Sequence, residues 1–311
     1  MEKEKIITIV YSSDDNYILH AAASIVSLIE NNETLGKINV YFIENNVSQK
    51  NKNKFENLMD TYKQLSIKWI DFSEWMQKLN LNMKWKISIS AYARLFVAEM
   101  LDNNIDKVLY LDCDIIVNQS IEKLMDIDIT NYYIGAVQDA VNDETKNSVG
   151  VQSGRPYYNS GMLLINLKKW REDNISETFL KFIEEHQGNV IHHDQGVING
   201  VLKNKIYKLP LQYNVMTIHY IFNRKQIMKY YRESTEFYSE QEIKSAKNKP
   251  IILHYTPSFT VRPWIQGCKH PRRQLYWVNL NKTPWKNVEK QQNQEKWYIR
   301  IINYLYRNFY R

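Results

Sequence analysis

Two aspartates, Asp112 and Asp114, interrupt an otherwise apolar run in the segment YLDCDIIV (110–117). Residues i and i+2 of an extended chain point to the same side, so we expect both carboxylates to face one way and Cys113 the other. Two carboxylates so close repel each other unless a cation lies between them. The Asp-x-Asp pattern therefore favours a divalent-cation site, with two solvated aspartates in a turn as the alternative.

His254 is the candidate third ligand, because it ends another apolar run, PIIL (250–253). Carboxylate oxygens suit Mn²⁺ or Mg²⁺, and one imidazole moves the preference towards Mn²⁺. The alternative is a structural histidine. His192 and His193 are adjacent and would face apart on a strand, so they offer no second pair of ligands.

Polar residues also follow the first apolar run, in the segment SSDDNY (12–17). Asp14 and Asn16 are suited to cap a helix, but the first strand–helix turn of an α/β fold is also where nucleotides bind. The chain has no Gly-x-Gly-x-x-Gly at this turn and no P-loop, which disfavours dinucleotide-binding and ATP-hydrolysing proteins. An acidic residue and an amide without phosphate-binding glycines favour contact with a base or ribose.

A third polar group comes from two segments, YYNSGMLLINLKKW (157–170) and HHDQGVIN (192–199). We expect Asn159 and Ser160 to precede a strand, and Asp194 and Gln195 to open a helix. Each of these residues, taken alone, is equally suited to a capping role.

The elements that must position these residues alternate between strands and helices. β-rich runs separated by helical patterns of ten or more residues are typical of βαβ units and a largely parallel sheet. The pattern predicts strands at 6–12, 37–43, 65–70, 107–112, 134–138, 162–167 and 250–255. It predicts helices at 21–30, at 49–63 with Ser48 as cap, and at 90–100, 175–187, 194–202 and 218–247, with a polar loop at 141–157. Asp112 and His254 thus lie at strand ends, where ligand sites of such sheets form.

The composition is that of a globular protein, with 44% hydrophobic and 24% charged residues among 311. The two cysteines are far apart in the chain, which disfavours a disulfide framework and favours a reducing compartment. No segment resembles a signal peptide or the ~20 apolar residues that span a bilayer. We therefore expect a cytoplasmic protein.

Most of the net charge of +7 lies in 282–311, which contains seven cations and two carboxylates. The remaining body is near neutral, which disfavours a nucleic-acid partner. On a helix, Trp297, Ile301, Leu305 and Phe309 would form one stripe, and Arg300, Arg307 and Arg311 another. We expect 285–311 to bind an anionic membrane surface, peripherally on the inner face of the plasma membrane. A helix packed on the body, or an oligomer contact, is the alternative.

Eight segments, in order, resemble glycosyltransferase family 8, the family of glycogenin and of bacterial lipopolysaccharide α-galactosyl- and glucosyltransferases. They span about residues 6–280 and are SSDDNY, ISISAYARLF, DKVLYLDCDIIV, IGAVQDA, YYNSGMLLINLKKW, HHDQGVIN, LPLQYNVM and ILHYTPSFTVRPW. The resemblance implies a GT-A fold, an α/β Rossmann-like nucleotide-sugar-binding fold with a mostly parallel central sheet. It also implies a UDP-sugar donor, a divalent metal (usually Mn²⁺) and retention of anomeric configuration. We assign 1–280 to this domain and 281–311 to a small C-terminal helical appendage.

The resemblance also implies roles for single residues. Asp14 and Asn16 would contact the uracil and ribose, Ser12 and Tyr17 would lie beside the base, and Arg94 would lie by the donor sugar. Asp112, Asp114 and His254 would hold the metal, with Asp112 also touching the ribose and the sugar. The transferred sugar would be surrounded by Asp139, Asn159, Asp194 and Gln195, with Gln195 nearest the anomeric carbon.

The family's segment His-Tyr-x-Gly-x-x-Lys-Pro-Trp differs here. HYTPSFTVRPW (254–264) is two residues longer, with Pro257 near the glycine position and Arg262 in place of the lysine. Because arginine can bind phosphate bidentately, we expect Arg262 to contact the diphosphate.

Together these features predict a retaining, metal-dependent glycosyltransferase for cell-surface polysaccharide synthesis. It would move galactose or glucose from UDP-galactose or UDP-glucose to a hydroxyl of a glycan, lipid-linked or glycoprotein acceptor. Front-face attack is favoured because the amide of Gln195 is a poor nucleophile, with double displacement through a carboxylate as the alternative. A nucleotidyltransferase is disfavoured by the missing glycine-rich phosphate loop, and a non-catalytic glycan-binding relative by the intact set Asp112, Asp114 and His254.

Overall fold

Two β-sheets organise the protein, seen here in a computed structural model that describes residues 5–78 and 89–310. The strands are β1 (Ile6–Asp14), β2 (Lys37–Asn45), β3 (Leu65–Asp71), β4 (Lys107–Leu111), β5 (Ile115–Val117), β6 (Ile134–Asp139), β7 (Tyr157–Asn166), β8 (Ile206–Lys208), β9 (Val215–Met216) and β10 (Ile252–His254). Seven of them form the central sheet in the order β3-β2-β1-β4-β7-β6-β8, and a smaller sheet has the order β5-β10-β9.

The central sheet is mostly parallel, as predicted. β7 runs antiparallel to its neighbours β4 and β6, while the pairs β1–β2, β1–β4, β2–β3 and β6–β8 are parallel. The reversal of β7 has a local consequence for function. The beginning of β7, rather than its end, lies at the sheet edge where β1, β4 and β6 end.

Helices cover both faces of the central sheet. They are α1 (Ile18–Glu30), α2 (Gln49–Thr61), α3 (Ser73–Lys78), α4 (Val97–Met100), α5 (Glu122–Met125), α6 (Asp143–Ser148), α7 (Leu167–Glu172), α8 (Ile175–Glu185), α9 (His193–Leu202), α10 (Thr217–Ile221), α11 (Arg224–Tyr231), α12 (Glu240–Asn248), α13 (Arg273–Leu280) and α14 (Trp297–Phe309). Short 3₁₀ helices cover Ile89–Phe96, Lys203–Lys205 and Leu211–Tyr213. As expected, the Ser48 side chain accepts a hydrogen bond from the backbone at the start of α2.

Two of the predicted helices are wrong in form. The segment 90–100 is mainly the 3₁₀ helix Ile89–Phe96 followed by the single turn α4; the first two residues of ISISAYARLF (87–96) lie outside the described residues. The segment 218–247 is not one helix but parts of α10, α11 and α12. Capping boxes at Asn223 and Ser239 start new helices, and Arg232, at φ 50°, ends α11 in the left-handed region.

The core lies in two layers, because strand side chains alternate between the two faces of the sheet. Ile9, Leu109 and Leu164 face the layer that includes α1 and α13. Val10, Tyr110 and Leu163 face the layer that includes α8 and α9. Burying each large aliphatic side chain in these layers contributes about 1.5–3 kcal/mol before the entropy of ordering is subtracted.

The C-terminal residues contact the main body. Trp285 is 5% exposed and packs against Phe55, with ring centroids 5.3 Å apart. α14 turns Tyr306 and Tyr310 towards the body, and Arg307 donates a hydrogen bond to the carbonyl of Phe259. Arg300 and Arg307 line the same cavity, so these two arginines share a helix face as predicted. Arg311 lies outside the described residues. The division of the chain at residue 280 stays a prediction.

No helix within 5–78 and 89–310 combines the length and the apolar character needed to cross a bilayer.

Candidate active site

Asp112, Asp114 and His254 lie together beyond the end of β4. The segment 112–114 is a turn between β4 and β5, so the extended geometry predicted for it is wrong, although both carboxylates still face one point. His254 pairs with Ile115 of β5, which brings the imidazole beside the turn. Its Nε2 lies 3.1 Å from Asp114 Oδ1 and 3.9 Å from Asp112 Oδ2, and one ligand atom from each residue lies within 4.8 Å of the others. Two carboxylates and an imidazole at this separation fit Mn²⁺ or Mg²⁺.

Gly161 of β7 leaves the space that this cluster occupies. Its carbonyl accepts a hydrogen bond from the backbone N–H of Asp112 at 2.8 Å. A Cβ at this position would overlap the His254 ring and lie 2.8 Å from Asp112 Oδ2. Sequence reasoning did not identify this glycine, although it directly follows Asn159 and Ser160 in the segment YYNSGM.

Two arginines form ion pairs with Asp112 and Asp114. Arg94, in the 3₁₀ helix Ile89–Phe96, donates to Asp112 Oδ1 at 2.8 Å and lies 3.1 Å from Asp194 Oδ2. Arg262 donates from Nε to Asp114 Oδ2 at 2.8 Å. Each aspartate therefore gives one oxygen to an arginine and turns the other towards His254.

The surroundings of Asp112 and Asp114 shift the pKa values of the two carboxyls in opposite directions. Desolvation raises the pKa of Asp112 above its usual range, and the negative charge of Asp114 adds to this although Arg94 opposes it. Desolvation acts in the same direction on Asp114, but Arg262 and His254 outweigh it and lower the pKa of Asp114 below its usual range. On acidification, Asp112 is therefore the first of the pair to take up a proton.

A second cluster, which we call the amide cluster, consists of Asp139, Asn159, Ser160 and Gln195. Gln195 Nε2 donates to Asp139 Oδ2 at 3.1 Å, and Gln195 Oε1 accepts from Asn159 Nδ2 at 3.1 Å and from the Ser160 N–H at 3.2 Å. Asn159 and Ser160 lie within β7 and do not precede it, contrary to prediction. They still reach the site because β7 begins at the edge where β6 ends in Asp139.

Asp194 lies in the first turn of α9, as predicted, and it contacts residues of both clusters. Its Oδ2 accepts a hydrogen bond from Ser160 Oγ at 2.8 Å and faces Arg94. Desolvation lowers the pKa of the Arg94 guanidinium, but the carboxylates of Asp112 and Asp194 outweigh this and leave that pKa raised, so the guanidinium stays charged.

Asn214 also joins the clusters, and sequence reasoning assigned it no role. Its Oδ1 lies 3.0 Å from His254 Nδ1, and its Nδ2 donates to Asn159 Oδ1 at 2.9 Å. The amide therefore orients the imidazole with Nε2 towards the aspartates. The only sequence signal was its place in the segment LPLQYNVM.

The predicted donor-binding residues surround a cavity of about 220 Å³ beside the aspartates. Those that line it are Ser12, Asp14, Tyr17, Arg94, Asp112, Asp114 and Arg262. Asn16 is exposed and does not line this cavity. Asp14 Oδ1 accepts from the N–H groups of Asn16 and Tyr17 at 3.0 and 3.1 Å, so it stabilises the turn after β1.

The fold and sequence resemble those of known glycosyltransferases. The sequence profile of glycosyltransferase family 8 matches residues 8–268. General stress protein A of Bacillus subtilis is 28% identical, over 93% of this chain and 98% of that protein. A lipopolysaccharide 1,2-glucosyltransferase of Escherichia coli is 24% identical, over 96% and 86% of the two chains.

Among solved structures, the galactosyltransferase LgtC in complex with donor and acceptor sugar analogues superposes with a TM-score of 0.73 and 25% identity. The match covers 89% of this chain and 96% of that one. It confirms the predicted GT-A fold with its mostly parallel sheet. Because the family profile covers most of the sequence and the fold agrees with it, the chain belongs to glycosyltransferase family 8.

Proposed function

We propose that the protein is a retaining, metal-dependent glycosyltransferase that uses a UDP-sugar. One observation carries this proposal. Asp112, Asp114 and His254, which come from two separate regions of the chain, converge at the sheet edge beside a cavity lined by residues suited to a nucleotide. The convergence provides a cation site next to the space where a diphosphate would lie.

Negative charge grows on the departing diphosphate during sugar transfer, so cationic groups must lie where that charge develops. Asp112, Asp114 and His254 would hold Mn²⁺ or Mg²⁺, which when bound supplies electrostatic stabilisation of the leaving group. Arg262 lies on the same side, on Asp114 Oδ2, and offers further guanidinium donors to phosphate oxygens. Arg262 also balances the charge of Asp114.

The sugar would lie against the amide cluster. Both ends of the Gln195 amide are hydrogen-bonded, so its orientation towards an anomeric carbon is set before the donor binds. A neutral amide is a poor nucleophile, so we favour front-face attack, in which the leaving phosphate takes the proton of the acceptor hydroxyl. Asp139 and Asp194 remain acceptors for sugar hydroxyls.

The names of the relatives include both a glucosyltransferase and a galactosyltransferase, so either sugar is a candidate. The test is UDP release from UDP-galactose, UDP-glucose and UDP-GlcNAc, each with and without Mn²⁺. We expect release from one of the first two that requires the metal and increases with a glycan, lipid-linked or glycoprotein acceptor. Equal, metal-independent release from all three, or pyrophosphate exchange with UTP and a sugar phosphate, would overturn the proposal.

We further propose that α14 binds an anionic membrane surface on the cytoplasmic side. Its outer stripe is strongly exposed, with Trp297 at 72%, Phe309 at 64%, and Ile301 and Leu305 at 49% each. Aromatic rings beside cations such as Lys296 and Arg300 suit the headgroup region of a bilayer. We expect the protein to sediment with vesicles containing anionic lipid and not with neutral vesicles. The double variant W297S/F309S should stay in the supernatant, and equal sedimentation of both proteins would exclude this role for the stripe.

A further inference from the structure

Phe259 has an uncommon backbone conformation three residues before Arg262. Its φ is 56°, in the left-handed region that bulky side chains avoid. Such a conformation costs of order 1–3 kcal/mol and persists only where surrounding contacts impose it. The residues that impose it therefore also set the path of the chain towards Arg262.

The contacts that hold Phe259 come from the region of α10 and α11 and from the C-terminal helix α14. Its ring lies 4.9 Å from that of Phe222, 5.0 Å from that of Tyr230 and 5.1 Å from that of Tyr306. Arg307, the next residue of α14, donates from its guanidinium to the Phe259 carbonyl. A charge-assisted hydrogen bond to that carbonyl fixes the orientation of the peptide that leads to Thr260.

The segment is tied down again just after this point. The Thr260 hydroxyl accepts a hydrogen bond from the Lys269 N–H at 2.8 Å, and the Ile265 N–H donates to the Arg262 carbonyl at 3.0 Å. The Arg262 side chain then reaches Asp114. An unbroken series of contacts therefore runs from α14 through Phe259 to the cation site.

We propose that Arg307 is a positioning residue that holds segment 256–262 so that Arg262 faces the donor cavity. The helix would then have two functions on opposite faces, with Arg307 towards the body and Trp297 and Phe309 outward. The structural part of this proposal is independent of the reaction, whereas its effect on the diphosphate rests on the proposed function.

Amide hydrogen exchange tests the structural part without any ligand. In R307A, we expect exchange of the amides in 256–262 to accelerate about tenfold, because a charge-assisted hydrogen bond is lost. R307K should retain most of the protection. N308A, which alters the neighbouring exposed residue of the same helix, should match the wild type. Unchanged exchange of this segment in R307A would overturn the proposal.

A double-mutant cycle tests the link to Arg262. With Mn²⁺ present, we expect R307A to weaken UDP binding about tenfold and to leave uridine binding unchanged, because uridine has no diphosphate. R262A should weaken UDP binding more, and R262A/R307A should be no weaker than R262A. Additive losses would show that Arg307 acts elsewhere and would overturn the link. Failure of the wild type to bind UDP would instead count against the proposed function, while the exchange result would still decide the structural part.

Discussion

The cation site and the amide cluster, neighbours at one sheet edge, are held by different forces. The cation site contains two carboxylates that are kept together by Arg94 and Arg262, so charge balance dominates it. The amide cluster is a network of hydrogen bonds around Gln195 and Asn159, with the single carboxylate of Asp139. The first should respond strongly to cations and protons, and the second mainly to changes of side-chain geometry.

This difference separates binding from reaction in the proposed mechanism. The three carboxylates of Asp112, Asp114 and Asp194 face the two guanidiniums of Arg94 and Arg262, so one negative charge is left for a cation to balance. The amide cluster is held by hydrogen bonds that need no bound cation, so it is formed in advance, which favours the transition state over the bound donor. Variants in the two regions should therefore differ in which kinetic constant they change.

The largest effect is expected for Asp114→Asn, which removes a ligand charge and the partner of Arg262. We expect metal-dependent UDP release to fall about a thousandfold, comparable to the loss of a main transition-state donor. Asp128→Asn, at an exposed position bound to Thr130, is the matched control and should behave as the wild type. Turnover of Asp114→Asn near the control value would remove this residue from the cation site.

Gln195→Ala should produce the next largest effect, of a different kind. We expect kcat to fall about a hundredfold, because the amide that would face the anomeric carbon is lost. The Kd of UDP measured calorimetrically with Mn²⁺ should stay near the wild-type value. A parallel loss of nucleotide affinity would mean that the amide cluster also contributes to nucleotide binding, which the proposed separation of functions does not allow.

Asn214→Ala should affect both regions, because this residue contacts His254 and Asn159. Loss of a group that orients a metal ligand lowers metal affinity by about tenfold to a hundredfold, and we expect the lower part of that range for Mn²⁺. Calorimetric titration with Mn²⁺ measures the effect, and a thermal melt checks that the variant is folded. Unaltered Mn²⁺ affinity in a folded variant would show that His254 does not depend on Asn214.

The smallest effect is expected from pH. Metal binds the ionised form of Asp112, whose pKa is raised, so Mn²⁺ affinity is fully present above that pKa and decreases as the pH falls through it. At about one pH unit below that pKa we expect a loss of roughly tenfold, because about a tenth of the carboxyl remains ionised. Asp139→Asn, which lies outside the cation site, should have the same profile, and a pH-independent affinity would contradict the raised pKa.

The sequence predicted the parts of the fold that are governed by local pattern. Apolar runs such as IITIVYS pack in alternating layers, so their identity as strands can be read from composition and spacing. The 3₁₀ helix Ile89–Phe96 could not be predicted in this way, because its apolar spacing is also compatible with an α-helix. The breaks at Asn223 and Ser239 were in principle readable, since both residues are followed by a Gln or Glu three positions later.

The candidate site was predictable where a residue carries chemistry and unpredictable where it only supports another. Asp112, Asp114 and His254 were identified by type and by their place at strand ends. Gly161 and Asn214 were missed, because their importance comes from tertiary contacts with His254 that no local spacing reveals. The contact between Phe259 and Arg307 could not be predicted either, because it forms only when α14 packs against the body.

The antiparallel pairing of β5 with β10 has a consequence for biosynthesis. Asp114 and its neighbours are made early, whereas the imidazole arrives only when a strand from the last quarter of the chain adds to the small sheet. A polypeptide interrupted before that strand would retain both carboxylates but could not complete the cation site. Tight metal binding would therefore require that β10 has joined the small sheet, and chains that lack this strand should bind the ion weakly.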